Sequence, residues 1–156
     1  MLFRTTGHRH IPGVAESGKR LGMVTQSAVV ATPAATVPSI VGALAERGTR
    51  AGVVISAGLD ADQTQRMLDA GQPHLFRVLG PNGIGLVLPH LGLDASFAHR
   101  QSLAGDLAFV SQSGALVTSV LDWAADQHIG FSHIISLGNM ADVDFGDLLD
   151  YLAGDT

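Results

Sequence analysis

Short apolar runs alternate along this chain with stretches in which apolar residues recur every three or four positions. The runs have the length and composition of buried strands and lie at residues 28–31, 51–55, 76–79, 84–88, 107–110 and 134–137. Helical spacing occupies residues 36–47, 61–70, 114–129 and 147–152. This alternation predicts an α/β fold on a parallel sheet, with one β-α-β unit at 28–58 and a second that begins at 105.

One strand-to-helix turn is the strongest candidate for a functional site. It consists of Ser111, Gln112, Ser113 and Gly114. Ser113 is the predicted N-cap of the helix that follows. The first N–H groups of a helix lack partners and point along its dipole, so they attract anions. Two interpretations remain open at this point: a seat for a phosphate or carboxylate, or an ordinary capped turn.

Composition narrows the function classes. Of 156 residues, 46% are hydrophobic, 15% are charged and 19 are glycines, which is typical of soluble, closely packed α/β proteins. A net charge of −5 without a Lys/Arg cluster argues against a nucleic-acid surface. No apolar run approaches the roughly 18 residues that cross a membrane. The absence of cysteine excludes disulfides and thiolate metal sites, and it is compatible with a cytoplasmic location.

The acidic residues near the end of the chain favour a structural interpretation. They are Asp142, Asp144, Asp147 and Asp150. We interpret Asp144 and Asp147 as acids at the start of a helix rather than metal ligands, because the helix dipole stabilises negative charge there. No G-x-S-x-G elbow surrounds Ser113. The sequence therefore predicts neither a catalytic nor a metal-ligating residue.

Four motifs in a defined order resemble a known family. They are VVATPAATVPSIVGALAERG, RVLGPNGIGL, LAFVSQSGALVTSVLDWA and SLGNMADVDFGDLLDYL. Together they resemble the NDP-forming acyl-CoA synthetases, relatives of the succinyl-CoA synthetase α subunit. They equally resemble the corresponding region of protein lysine acetyltransferases that are fused to a GNAT domain. The resemblance covers about residues 28–151. It implies a Rossmann-like CoA-binding domain and then a flavodoxin-like domain, in enzymes that convert acyl-CoA and NDP to acid, CoA and NTP through a phosphohistidine.

The resemblance also implies binding residues at three turns. Contacts with CoA or acyl-CoA are implied at Ala31, Thr32 and Pro33 and at Ile55, Ser56 and Ala57. The phosphoryl group of the phosphohistidine is implied at Ser111, Gln112, Ser113 and Gly114. All three turns follow predicted parallel strands, and ligands of open α/β sheets bind at the carboxyl ends of the strands.

Parts of the family pattern have no counterpart in this sequence. Residues 1–26 do not match the glycine-rich loop that wraps the CoA phosphates, and no ATP-grasp domain is recognised. The small-residue loop expected around a phosphohistidine surrounds none of His74, His90, His99 and His133. We therefore expect a chain truncated at both ends. Its predicted parts are a poorly defined segment at 1–27, a partial CoA-binding domain at 28–88, a linker at 89–104 and a partial flavodoxin-like domain at 105–156.

Two functional hypotheses follow. The first is a CoA- or acyl-CoA-binding fragment with a phosphate seat and no phosphohistidine of its own, inactive alone and completed by an ATP-grasp domain, a GNAT domain or a partner subunit. The second is a non-catalytic remnant that serves as an interaction module. Because an incomplete parallel sheet exposes strand edges, we expect self-association in either case.

Overall fold

A computed structural model describes residues 27–154, and the N-terminal segment predicted at 1–27 lies outside this range except for Ser27. The first half of the described chain forms a three-stranded parallel sheet in the order β1-β2-β3. Its strands are β1 (Ser27–Val30), β2 (Ala51–Val54) and β3 (Arg77–Leu79). The helices α1 (Val37–Glu46) and α2 (Ala61–Gly71) connect them, as the apolar periodicity predicts.

The second half forms a four-stranded mixed sheet in the order β5-β4-β7-β6. Its strands are β4 (Gly85–Leu88), β5 (Leu93–Ser96), β6 (Ala104–Ser111) and β7 (Phe131–Ser136). The helix α3 (Gly114–Asp126) connects the parallel pair β6 and β7, and α4 (Phe145–Ala153) follows. The strand β4 runs antiparallel to both β5 and β7.

Three details of the second sheet differ from the sequence predictions. The strand β4 falls in the stretch predicted as part of the CoA-binding half, yet it hydrogen-bonds with β5 and β7. The strand β5 lies in the stretch predicted as a linker, where its sequence LDAS has too few apolar residues to signal a strand. The strand β6 was predicted to be buried but lies at the edge of the sheet, and Leu107 on it is 55% exposed. Apolar runs predict strands, but they do not determine which strands pair.

The two sheets share part of their core. One apolar cluster combines Val53 and Leu79 of the first sheet with Leu86 and Ile135 of the second and Leu148 of α4. A second cluster lies between the first sheet and the helices α1 and α2, and a third lies under α3. Because the same cluster covers faces of both sheets, the halves pack against each other rather than standing apart.

Residues 139–143 run alongside the end of β3 and join the halves through the backbone. The N–H of Asn139 donates to the carbonyl of Pro81 at 2.8 Å, and the N–H of Val143 donates to that of Val78 at 3.1 Å. The carboxylate of Asp142 accepts from Arg77 Nε at 3.0 Å and from the N–H of Val78 at 2.7 Å. This strip therefore holds the carboxyl end of β7 beside the carboxyl end of β3.

Candidate functional site

The turn predicted as an anion seat forms the N-terminus of α3. The hydroxyl of Ser113 accepts from the N–H of Leu116 at 3.3 Å, which confirms Ser113 as the N-cap. Ser111 is buried, and its hydroxyl accepts from the N–H of Ser113 at 3.1 Å. The N–H groups of Gly114 and Ala115 have no acceptor inside the helix. They face the region in front of the turn, where the helix dipole adds a positive potential.

A buried hydroxyl lies directly behind this turn. Ser136, the last residue of β7, is 1% exposed, and its hydroxyl has no hydrogen-bond partner among the described residues. A Cβ built on Gly83 would lie 3.3 Å from that hydroxyl oxygen, and one on Gly114 would lie 4.0 Å from it. Buried polar groups normally have partners, so an unsatisfied hydroxyl between two glycines is a second sign of a polar ligand.

The predicted CoA turn after β2 and the predicted anion turn before α3 open onto one cavity of about 680 Å³. Its wall takes Ile55 and Ala57 from the end of β2, and Gln112, Ser113, Gly114, Ala115 and Thr118 from the start of α3. Asn82, Gly83 and Ile84 line it from the turn after β3, Gly138 and Asn139 from the turn after β7, and Phe97 from the end of β5. The cavity therefore lies where the strand ends of the two sheets meet, as expected for α/β ligand sites.

The residues predicted for CoA divide into two groups. Ile55 and Ala57 line the cavity, whereas Ser56 is buried beneath them. The hydroxyl of Ser56 donates to the carbonyl of Thr32 at 2.6 Å and accepts from the N–H of Thr32 at 2.9 Å. Ala31, Thr32 and Pro33 do not line the cavity but form the neighbouring turn at the end of β1. Ser56 therefore ties the two predicted CoA turns together.

Two asparagines that the sequence analysis did not select bridge the halves at the cavity wall. Asn82 Nδ2 donates to Asn139 Oδ1 at 3.1 Å. Between them Gly138 has a φ of +57° and packs against the backbone of Pro81 and Gly83, which leaves no space for a side chain. The motifs GPNG and LGN marked both turns in the sequence. Nothing local signalled that the turns touch, because they are 57 residues apart along the chain.

The lining of the cavity offers an anion dipoles rather than cations. None of its lining residues carries a charged side chain. The charge of Arg77 is already paired with two carboxylates. Its Nε lies 3.0 Å from Asp142 and its Nη2 lies 3.0 Å from Asp147. The hydrogen bond that the guanidinium donates to Asp142 raises the pKa of Arg77, so Arg77 stays charged. A phosphate in this cavity would be held by N–H groups and neutral polar side chains.

The acidic run at residues 142–150 has the structural role predicted for it. Asp144 is the N-cap of α4, and it forms a capping box with Asp147. Within the described range, 27–154, no group of three or more His, Asp or Glu side chains is arranged to hold a metal ion. None of the helices in that range has the length and apolarity needed to cross a membrane.

Comparisons with known proteins match the sequence and the fold of this chain. Residues 104–156 match the family described as "Succinyl-CoA ligase like flavodoxin domain". An ADP-forming acetate–CoA ligase of Archaeoglobus fulgidus is 34% identical over 134 residues, which cover 82% of this chain. Over most of its length the chain is similar to NDP-forming acyl-CoA synthetases. Its α/β architecture with a flavodoxin-like second half is thereby confirmed.

Other members of the synthetase family extend the comparison. The α subunit of an ADP-forming acetate–CoA ligase of Pyrococcus furiosus is 34% identical over 82% of this chain. A solved dinucleotide-forming acetyl-coenzyme A synthetase of Ca. Korarchaeum cryptofilum superposes with a TM-score of 0.83 at 32% identity, over 86% of this chain and 30% of that one. The chain spans 20% of the length of the A. fulgidus ligase and 29% of the length of the P. furiosus subunit.

Proposed function

We propose that this chain is the CoA- or acyl-CoA-binding portion of an NDP-forming acyl-CoA synthetase, and that the N-terminus of α3 seats a phosphoryl group. The observation that carries the proposal is the shared cavity. The CoA turn at Ile55 and Ala57 and the anion seat at Ser113 and Gly114 line the same space. A thioester and a phosphoryl group would meet there.

The CoA part of the proposal rests on the paired turns at the ends of β1 and β2. The hydroxyl of Ser56 is hydrogen-bonded to the backbone of Thr32, so both turns are held in place before any ligand binds. Ala31, Pro33 and Ala57 are exposed and uncharged, which suits contact with the pantetheine arm. The reactive end of the arm would then reach the cavity past Ile55 and Ala57.

The phosphoryl part rests on the start of α3. The N–H groups of Gly114 and Ala115, together with the hydroxyl of Ser136, offer donors to an anion without a cation nearby. We propose that the phosphorylated histidine comes from a segment outside residues 27–154 or from a partner. An ATP-grasp domain or subunit, or a GNAT domain in an acetyltransferase, would complete the activity. We place the protein in the cytoplasm.

An interaction module is the second candidate, and a specific surface favours it. Leu116 and Trp123 on α3 are 50% and 58% exposed, and Leu107 on the edge strand β6 is 55% exposed. Exposed apolar side chains on a surface helix and on an open strand edge are typical of docking surfaces. On this basis we expect self-association, or association with a missing domain. Light scattering that shows a monodisperse monomer at high concentration would contradict that expectation.

Titration of the 156-residue chain with CoA and with inorganic phosphate tests the main proposal. In amide-resolved NMR, we expect CoA to shift residues 31–33 and 55–57, and phosphate to shift residues 112–114. Ala57→Glu places a carboxylate at the cavity wall and should abolish both sets of shifts, because it repels phosphates and fills the entrance. Ala153→Glu, at the far end of α4, is the matched control and should bind both ligands normally.

The two candidates give different outcomes. Absence of calorimetric heat and of amide shifts at millimolar CoA would exclude the CoA-binding proposal and leave the interaction module. Phosphate shifts that spread over the surface, or that persist in Ala57→Glu, would exclude the seat at α3.

A further inference from the structure

The cavity at the start of α3 has an apolar side that the proposed phosphate seat does not use. Its large apolar lining residues are Ile55, Ile84 and Phe97, and its polar lining residues include Ser113 and Asn139. Ile84 is 4% exposed and belongs to the core under α3, whereas Phe97 is 63% exposed. Among the exposed large apolar side chains of residues 27–154, Phe97 alone lines the cavity.

The backbone around Phe97 is anchored on both sides, so the exposure of its ring does not come from a loose loop. The N–H of Phe97 donates to the carbonyl of Ile84 at 3.1 Å, which continues the pairing of β4 with β5. The N–H of Ala98 donates to the hydroxyl of Ser96 at 3.1 Å. The next two residues pair with α3, since His99 Nε2 lies 2.9 Å and Arg100 Nε lies 3.6 Å from Asp122 Oδ1.

These contacts hold an aromatic ring beside the first turns of the helix that seats the anion. The ring lines the cavity together with Ser113, Ala115 and Thr118 of α3. A ligand whose anionic group lies on the N–H groups of Gly114 and Ala115 would extend an attached group along this wall. Aromatic faces favour apolar and aromatic groups over hydrated ones.

We propose that Phe97 is a specificity-determining residue, whose ring contacts the apolar acyl group of a ligand that is anchored by its phosphoryl end at α3. This inference rests on the proposed function, because the phosphate seat orients the ligand. It predicts a preference for ligands in which phosphorus carries an aromatic or branched apolar group over ligands that carry hydrogen or a methyl group.

Stable phosphonates test the inference without an acyl-transfer reaction. Amide shifts at Gln112, Ser113 and Gly114 report binding of inorganic phosphate, methylphosphonate and benzylphosphonate to the whole chain. We expect benzylphosphonate to bind about fivefold to tenfold more tightly than methylphosphonate, because it adds an aromatic contact. Phe97→Ala should remove most of this difference and change the affinity for inorganic phosphate less than twofold.

Two further variants separate specificity from a structural effect. Phe97→Tyr keeps the ring and should keep the preference for benzylphosphonate. Leu149→Ala removes another exposed apolar side chain, 62% exposed and outside the cavity, and should leave all three affinities unchanged. If Phe97→Ala alters the dispersion of the spectrum, Phe97→Leu provides the comparison and should lose about half of the preference in free energy.

The outcomes distinguish this inference from the proposed function. If phosphate shifts residues 112–114 but Phe97→Ala retains the preference, or if no preference exists, the role of Phe97 is wrong and the phosphate seat stands. If phosphate and both phosphonates leave these amides unshifted, the seat is absent and the inference fails with it.

Discussion

The predicted CoA turn after β2 and the predicted anion turn before α3 each contain a buried serine at the end of a strand. They differ in the hydrogen-bonding groups that remain available to a ligand. At the end of β2, Ser56 donates to and accepts from the backbone of Thr32, so its hydroxyl is fully occupied. At the start of α3, Ser111 is occupied in the same way by Ser113, but Ser136 behind it has no partner among the described residues. The first turn is closed by its own hydrogen bonds, and the second retains donors for a ligand. The proposed CoA contact and the proposed anion seat thus differ in the hydrogen-bond partners of their serines.

The largest expected effect comes from breaking the strip that brings the two turns to one cavity. Asp142→Ala leaves Arg77 and the N–H of Val78 without their shared acceptor, and it should lower the free energy of unfolding by about 2–3 kcal/mol. Urea denaturation measures the change. Asp62→Ala, which removes an exposed pair with Arg66, is the control and should cost less than about 0.5 kcal/mol. Equal effects of the two variants would show that the strip does not join the halves.

Removing the hydroxyl of the closed turn should have the next largest effect. Ser56→Ala leaves the partly buried backbone of Thr32 without its partner, and it should lower the free energy of unfolding by about 1–3 kcal/mol. Urea denaturation measures this change in the free energy of unfolding. A variant as stable as the original chain would mean that the turn at Thr32 is not held by Ser56.

The smallest effect, and the one of opposite sign, is expected at the open turn. Ser136→Ala removes a buried hydroxyl that has no partner, so it should raise the free energy of unfolding by about 1 kcal/mol. If the hydroxyl donates to a bound anion, the same variant should weaken phosphate binding several-fold. A chain that is destabilised by this substitution would show that the hydroxyl is satisfied in solution, and the contrast with Ser56 would disappear.

The predicted elements were found close to their expected positions because their signals are local. Apolar runs of four or five residues became β1, β2, β3 and β4, and Ser113 caps α3 as its side-chain chemistry predicts. The missed strand β5 has only two apolar residues in its sequence LDAS, so it depends on pairing with β4 for its conformation. Its detection required knowledge of its partner.

Only the parts of the candidate site that have a local sequence signal were predicted. Ile55, Ala57 and the turn at 112–114 were identified from their motifs, and they line the cavity. Asn82, Asn139 and Phe97 were not identified, although Asn82 and Asn139 lie in motifs that carry the family resemblance. Asn82 and Asn139 gain their role from a contact between the two halves, and Phe97 gains its position from contacts near β4 and α3.

The sequence by itself determined the order of the strands and helices apart from β5, the capped turn before α3 and the family that these motifs resemble. Hydrophobic periodicity and side-chain capping act over a few residues, so they can be read without coordinates. The tertiary structure alone decided that β4 joins the second sheet and that residues 139–143 lie along β3. It also decided that Ser136 is buried without a partner. These features depend on which distant segments pack together, and burial, register and hydrogen-bond satisfaction follow from that packing.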